Sequence, residues 1–177
     1  MKENFLSEKE KIEKATAEAF IKLYNEMMGT SFRIIEHSDA PDFQCSDSQN
    51  NELKLEITLT EDLPKDIAAL CGRSNHRSIE ALKDHMAKVK EGKAHPLERV
   101  SSFPGNVTET LVHRIRKKLN KDYGRNTALV IRDTSPLDWD WSMVIDSVKQ
   151  SLDLSRNPFD KGIWIVSYDK DRIFLLN

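Results

Sequence analysis

The sequence predicts a single α/β domain built on a mixed β-sheet. Three observations carry that expectation. Segments with a 3.6-residue apolar period alternate with short apolar or period-two segments, in the order α-β-β-α-β-α-β-β. The chain has 177 residues, within the usual span of one domain and enough to bury a core. Hydrophobic residues make up 38% and charged ones 32%, which is hydrophilic but globular rather than disordered. No internal repeat or low-complexity segment is present.

The elements follow in order. SEKEKIEKATAEAFIKLYNEMMG reads as a long first helix, opened by a capping box in which Ser7 and Glu10 satisfy backbone N–H groups. Ile12, Thr16, Ala19, Phe20, Leu23 and Met27 recur at helical spacing, and Gly29 stands where a left-handed cap is expected. Glu18 and Lys22 form an i,i+4 pair. SFRIIEH is a short strand ended by the turn-forming SDAPD, after which a polar loop is expected. In NNELKLEITLT, Leu53, Leu55, Ile57 and Leu59 point one way, and Glu52, Lys54, Glu56 and Thr58 the other.

A polar, basic region runs from about 61 to 105, with one helix near 78–90 and a loop at HPLERVSSFPGN. TETLVHRIRKKLNKDY is a second strong helix, with Leu111, Ile115 and Leu119 on one stripe. TALVIRD has the composition of a buried strand, PLDWDWSMVIDSVKQSL that of a helix, and GIWIVSYDKDRIFLL closes the chain as two strands turning at Asp169–Asp171.

Charge is unevenly spread. From Arg73 to Arg125 there are thirteen Lys and Arg against six Asp and Glu, a surplus of seven, while the whole chain carries a formal charge of −2. A basic middle suits a polyanion, with a solvated face as the plainer reading. The N-terminal MKENFLSEKEKIEK lacks the apolar core of a secretory signal, and no apolar run approaches the ~20 residues that span a bilayer. Cys45 and Cys71 form no CxxC. The expectation is a cytoplasmic protein with reduced thiols and no membrane partner. The five histidines form no HxxxH, and GxSxG, GxxxxGK[ST] and GxGxxG are absent, so zinc-hydrolase, serine-hydrolase and nucleotide-loop chemistry lack their signatures. Trp139 and Trp141 read as packing residues, with base stacking as the alternative.

Chemistry concentrates at APDFQCSDSQNNELKLEIT. Asp42 ends one expected strand and Glu56 lies in the middle of the next; if the two strands pair, the carboxylates converge. Two carboxylates, a backbone carbonyl and waters are the hard oxygen ligands that Mg²⁺ prefers. Lys54 lies on the same strand face and suits stabilisation of phosphorane charge or orientation of a water, with Thr58 two residues beyond Glu56. The bland reading is a turn aspartate and a solvent-facing strand glutamate.

Asp42 after Pro41, followed by a strand of the form apolar-x-apolar-Glu-x-polar, resembles the core motif of the PD-(D/E)xK nuclease superfamily. The resemblance covers roughly residues 8 to 58 and 108 to 176 and implies a restriction-endonuclease-like αβββαβ core, a central mixed sheet flanked by helices, with 61–105 as a basic insertion into one domain spanning 1–177. Two registers are open. Glu52 and Lys54 spell ExK at the start of the strand; Glu56 and Thr58 place the acid within it, with threonine where the family has lysine. The second is favoured, and the resemblance then implies a lysine supplied by Lys54 or by Lys118 of the basic helix. It also implies an acid from the first helix, for which Glu13 is the best of Glu10, Glu13 and Glu18.

On this reading the protein is a Mg²⁺-dependent nuclease, with Mn²⁺ as a possible substitute, that cuts DNA in preference to RNA. Asp42 and Glu56 would hold the metal; Lys117, Lys118, Arg73 and Arg77 would contact phosphates. Many such folds act as homodimers. A catalytically lapsed nuclease fold serving as a nucleic-acid-binding or assembly module is the alternative, and a plain interaction domain the third possibility.

Overall fold

In the computed structural model, the residues described are 8–60, 84, 87, 88, 90–93, 107–134 and 139–177. Among the described residues these elements follow one another: α1 (Glu8–Met28), β1 (Arg33–His37), β2 (Phe43–Ser46), β3 (Glu52–Leu59), α2 (Val107–Leu119), β4 (Thr127–Arg132), α3 (Trp141–Ser151), β5 (Ile163–Val166) and β6 (Ile173–Leu175). The expected helix near 78–90 lies mostly outside the described residues, as do Arg73 and Arg77.

The strands form one open six-stranded sheet in sequence order, β1-β2-β3-β4-β5-β6. β3, β4 and β5 run parallel, and antiparallel hairpins flank them on both sides. The parallel centre explains the sequence of β4: all six of its residues are buried because both faces are covered. Ala128 and Val130 join the core beneath α1; Leu129 and Ile131 join the core beneath α2 and α3. Two successive crossovers stepping the same way across a sheet put both helices on one face when their hand is the same. The class expected from the sequence, α/β with a mixed sheet flanked by helices, is what the chain adopts.

Three details differ from expectation. α1 buries Glu13, Thr16, Ala17, Phe20, Ile21 and Tyr24, while Met27 is exposed and Ile12, Ala19 and Leu23 are only partly covered. The aromatic cluster sets that rotation, since Phe20 and Tyr24 both pack on Trp164, with ring centres 5.7 and 5.5 Å away. Second, the segment expected as a polar loop contains β2. FQCS alternates buried Phe43 and Cys45 with half-buried Gln44 and Ser46, and only the tip at Asp47–Asn51 is loop. Asp47 holds that tip by accepting from the Gln49 and Asn51 N–H groups. Asp42 therefore immediately precedes β2 rather than ending β1. Third, the helix expected to reach Tyr123 stops at Leu119, leaving Tyr123 in the loop before β4.

Candidate active site

β2 and β3 separate at one point, and the acidic residues meet there. The last partner pair between them is Phe43 opposite Leu55, so Asp42 stands one step beyond, level with Glu56. From Glu56 onward β3 has lost its β2 neighbour. The Ile57 N–H that would have bonded to β2 instead donates to Asp42 Oδ2 at 2.6 Å. The turn before it is closed by the Ser38 N–H donating to the Asp42 carbonyl at 2.9 Å, and the Ala40–Pro41 peptide is cis.

Glu56 projects from the face of β3 opposite to Leu55 and Ile57, toward the α2 layer. There Lys118 Nζ, from the last turn of α2, lies 2.6 Å from Glu56 Oε1. The Glu56 side chain is only 9% exposed, and Oε2 is buried without a hydrogen-bond partner. From the other layer, α1 contributes Glu13, buried and paired with Lys9 at 3.5 Å.

The electrostatics follow from this placement. Burial raises the Asp42 carboxyl from its ordinary 3.8 to about 6. The Ile57 N–H opposes the rise, the negative charges of Glu56 and Glu13 add to it, and Lys118 works against them. Tyr123 feels the same corner: burial, then the charges of Glu56 and Asp42, push its phenol up to about 12. Its Oη is buried and, like Glu56 Oε2, lacks a hydrogen-bond partner.

Asp42, Glu56, Glu13 and Lys118, named separately from the sequence, thus share one electrostatic corner. Lys54 and Thr58 lie two residues either side of Glu56 on its strand face, half-buried. Glu52 and Glu18 are exposed, which separates both from the buried cluster; Lys117 is exposed on α2. Trp141 is buried against Phe174, in keeping with packing. Asp140 between the tryptophans caps α3 by accepting from the Met143 N–H. Cys45 is buried in β2, and burial pushes its thiol up to about 12, so it is a core residue and not a nucleophile. Tyr123 was missed: at the end of an apparent helix, nothing in its spacing marks it.

Among the described residues no three His, Cys, Asp or Glu side chains are grouped as a metal cluster. Asp42 and Glu56, level where β2 leaves β3, are the residues that could hold a metal there. The orphaned Oε2 of Glu56, and an Asp42 carboxyl raised by burial with the Glu56 and Glu13 charges adding to it, both fit a small hard cation. No described helix is long and apolar enough to cross a membrane. Compared with protein-family models, with curated proteins and with solved structures, the chain matches none significantly.

Proposed function

We propose that the chain is a divalent-metal-dependent nuclease of the PD-(D/E)xK kind, hydrolysing phosphodiester bonds in DNA in preference to RNA. One observation carries the reading: Asp42 and Glu56 stand level where β2 leaves β3, with the Lys118 ammonium brought to Glu56 from a different element. This is the register in which Glu56 is the motif acid and Thr58 fills the lysine position. Lys118 is then the displaced lysine, delivered by α2 rather than by β3.

Asp42 and Glu56 would hold Mg²⁺ or Mn²⁺, and a cation bound there supplies Lewis-acid activation of a water and neutralisation of phosphate charge. Ile57 orients the Asp42 carboxylate through its N–H. Lys118 stands beside Glu56 to steady the attacking water or the developing charge, and Glu13 raises the negative potential from the α1 side. The basic surplus around residues 73–125 suits contact with the phosphate backbone without base readout.

A second reading, a lapsed nuclease fold that binds nucleic acid, is favoured by Thr58 and by the direct Lys118–Glu56 ion pair, which closes one oxygen of the site. The two separate in one experiment. Linear, supercoiled and single-stranded DNA are incubated with Mg²⁺ or Mn²⁺, beside Asp42→Asn, Glu56→Gln and a chelator control. Metal-dependent cutting lost in both variants supports the enzyme. Salt-sensitive binding without cutting supports the binding module, and neither leaves an interaction domain.

A further inference from the structure

We propose that the chain forms a two-fold dimer through the face that α1 and β1 share, with a second copy of the same chain as the occupant. The inference goes beyond the nuclease reading and stands or falls without it.

The face is built where the sheet is open. β1 is an edge strand, and four of its five residues are exposed. Between it and α1 runs an open groove of about 630 Å³, floored by Ile21, Phe32, Ile34 and Phe43. On its lip the β1–β2 register shifts between Ile34 and Glu36, so Ile35 drops out of the ladder, and it is 65% exposed. An apolar side chain on the rim of an apolar groove is surface that a partner would cover.

The wall of the groove names the partner. α1 lines it with Glu10, Lys14, Glu18 and Lys22, one residue in every four, so acid and base alternate along one row of the helix. At 1.5 Å per residue the row is about 18 Å long. Lys14, Glu18 and Lys22 are exposed, and among the described residues none of the three forms a salt bridge. The Lys9–Glu13 ion pair lies on the neighbouring row. The alternating charges are left to face outward.

Such a row is its own complement. A two-fold axis through its midpoint lays it antiparallel on its copy. Lys14 of each chain then meets Glu18 of the other, and Glu10 and Lys22 meet in the same way at the two ends. Every acid faces a base. Rows of this spacing are also the ridges that run together when two helices cross at about −50°, the commonest helix packing in globular proteins. One patch used twice closes the assembly at two chains. The charges set register and partner, while covering Ile35 and the apolar floor supplies affinity. A polyanion suits the groove poorly, because Glu36 from β1 joins Glu10 and Glu18 in lining it.

The test measures the mass of the full chain by sedimentation over a dilution series, for the wild type, Lys14→Glu, Glu18→Lys and the exchange variant carrying both. The expected result is a wild-type dimer, association weakened about tenfold or more in each single variant by like charges brought opposite, and recovery in the exchange variant. An equimolar mixture of the two single variants should dimerise as well, since each offers the charge that the other lacks. A dimer that neither reversal weakens lies on another face and overturns the proposal. A wild-type chain that stays monomeric overturns it too and leaves the groove to a different partner. Weakened single variants that recover neither in the exchange variant nor in the mixture overturn the pairing. If a reversal lowers thermal stability, Lys14→Gln and Glu18→Gln take its place, and dimers as tight as wild type in both overturn the proposal.

Discussion

Asparagine at position 42 keeps a carbonyl oxygen to accept the Ile57 N–H and removes a charge that burial, Glu56 and Glu13 all oppose. The sign follows from linkage. A carboxyl whose folded value is raised binds its proton more tightly in the folded state, so stability falls as pH rises between the two values. The penalty is absent below about pH 4, grows up to about pH 6, and is constant above that. The rise from 3.8 to about 6 corresponds to roughly 3 kcal/mol at about 1.36 per unit. Because the carboxyl is only half-buried, solvent screening reduces this to about 1–2 kcal/mol. Asp42→Asn should therefore be more stable at pH 8 by that amount, a rise in Tm of roughly 2–8 °C for a chain of this size. Thermal and urea unfolding in chelator at pH 8, 7, 5 and 4 measures the gap, which should close by pH 4. Adding Mn²⁺ should raise the Tm of the wild type and leave that of Asp42→Asn unchanged. A variant less stable than wild type at pH 8, or a gap that does not depend on pH, would refute the charge argument.

Lys118→Ala strands Glu56 with neither oxygen paired, and should cost about 2–4 kcal/mol. Adding Glu56→Gln should recover about 1–3 kcal/mol of that, read as the coupling in a double-mutant cycle by urea unfolding; simple additivity would mean that the ion pair is not energetically real. Thr58→Lys places an ammonium two residues along the strand from Glu56, on the same face, and should restore part of the cleavage lost in Lys118→Ala. No recovery in that double variant would argue that the lysine must come from α2. Gly162→Ala should cost about 2–4 kcal/mol without changing cleavage per folded molecule: its φ is +90°, and a Cβ would sit 2.8 Å from the Asn177 carbonyl oxygen. A variant of wild-type Tm would show that the chain end moves aside.

Much of the fold was legible where one period dominates. The four apolar residues of β3 alternate with its polar ones, and the unbroken TALVIR of β4 is what a central parallel strand requires. β2 was invisible for a physical reason. Four residues carrying two buried side chains, flanked by Pro41 and the polar hairpin tip, give no period to detect; hydrogen bonding to β3 makes that strand. The site divided along the same line. Asp42 and Glu56 announce themselves as an acid after proline and an acid within a strand. Lys118 could be named only as one of two candidates, because it reaches Glu56 across 62 positions of sequence. Glu13 looked like a residue bordering the apolar stripe until the aromatic cluster turned α1 and buried it.

Charge balance gives the corner its meaning. Glu13, Asp42 and Glu56 come from three places, α1, the turn just before β2, and β3, and two of the three are buried. Lys118 answers Glu56, and Lys9, on the exposed side of α1, answers Glu13 at a longer 3.5 Å. Among the described residues the Asp42 carboxylate accepts only the Ile57 N–H, and burial first, then the Glu56 and Glu13 charges, raise its carboxyl value. A sequence shaped by stability alone would place an amide at position 42 and leave no orphaned oxygen on Glu56. On the proposed reading, retaining both at the point where two strands part suits a site that takes a divalent cation.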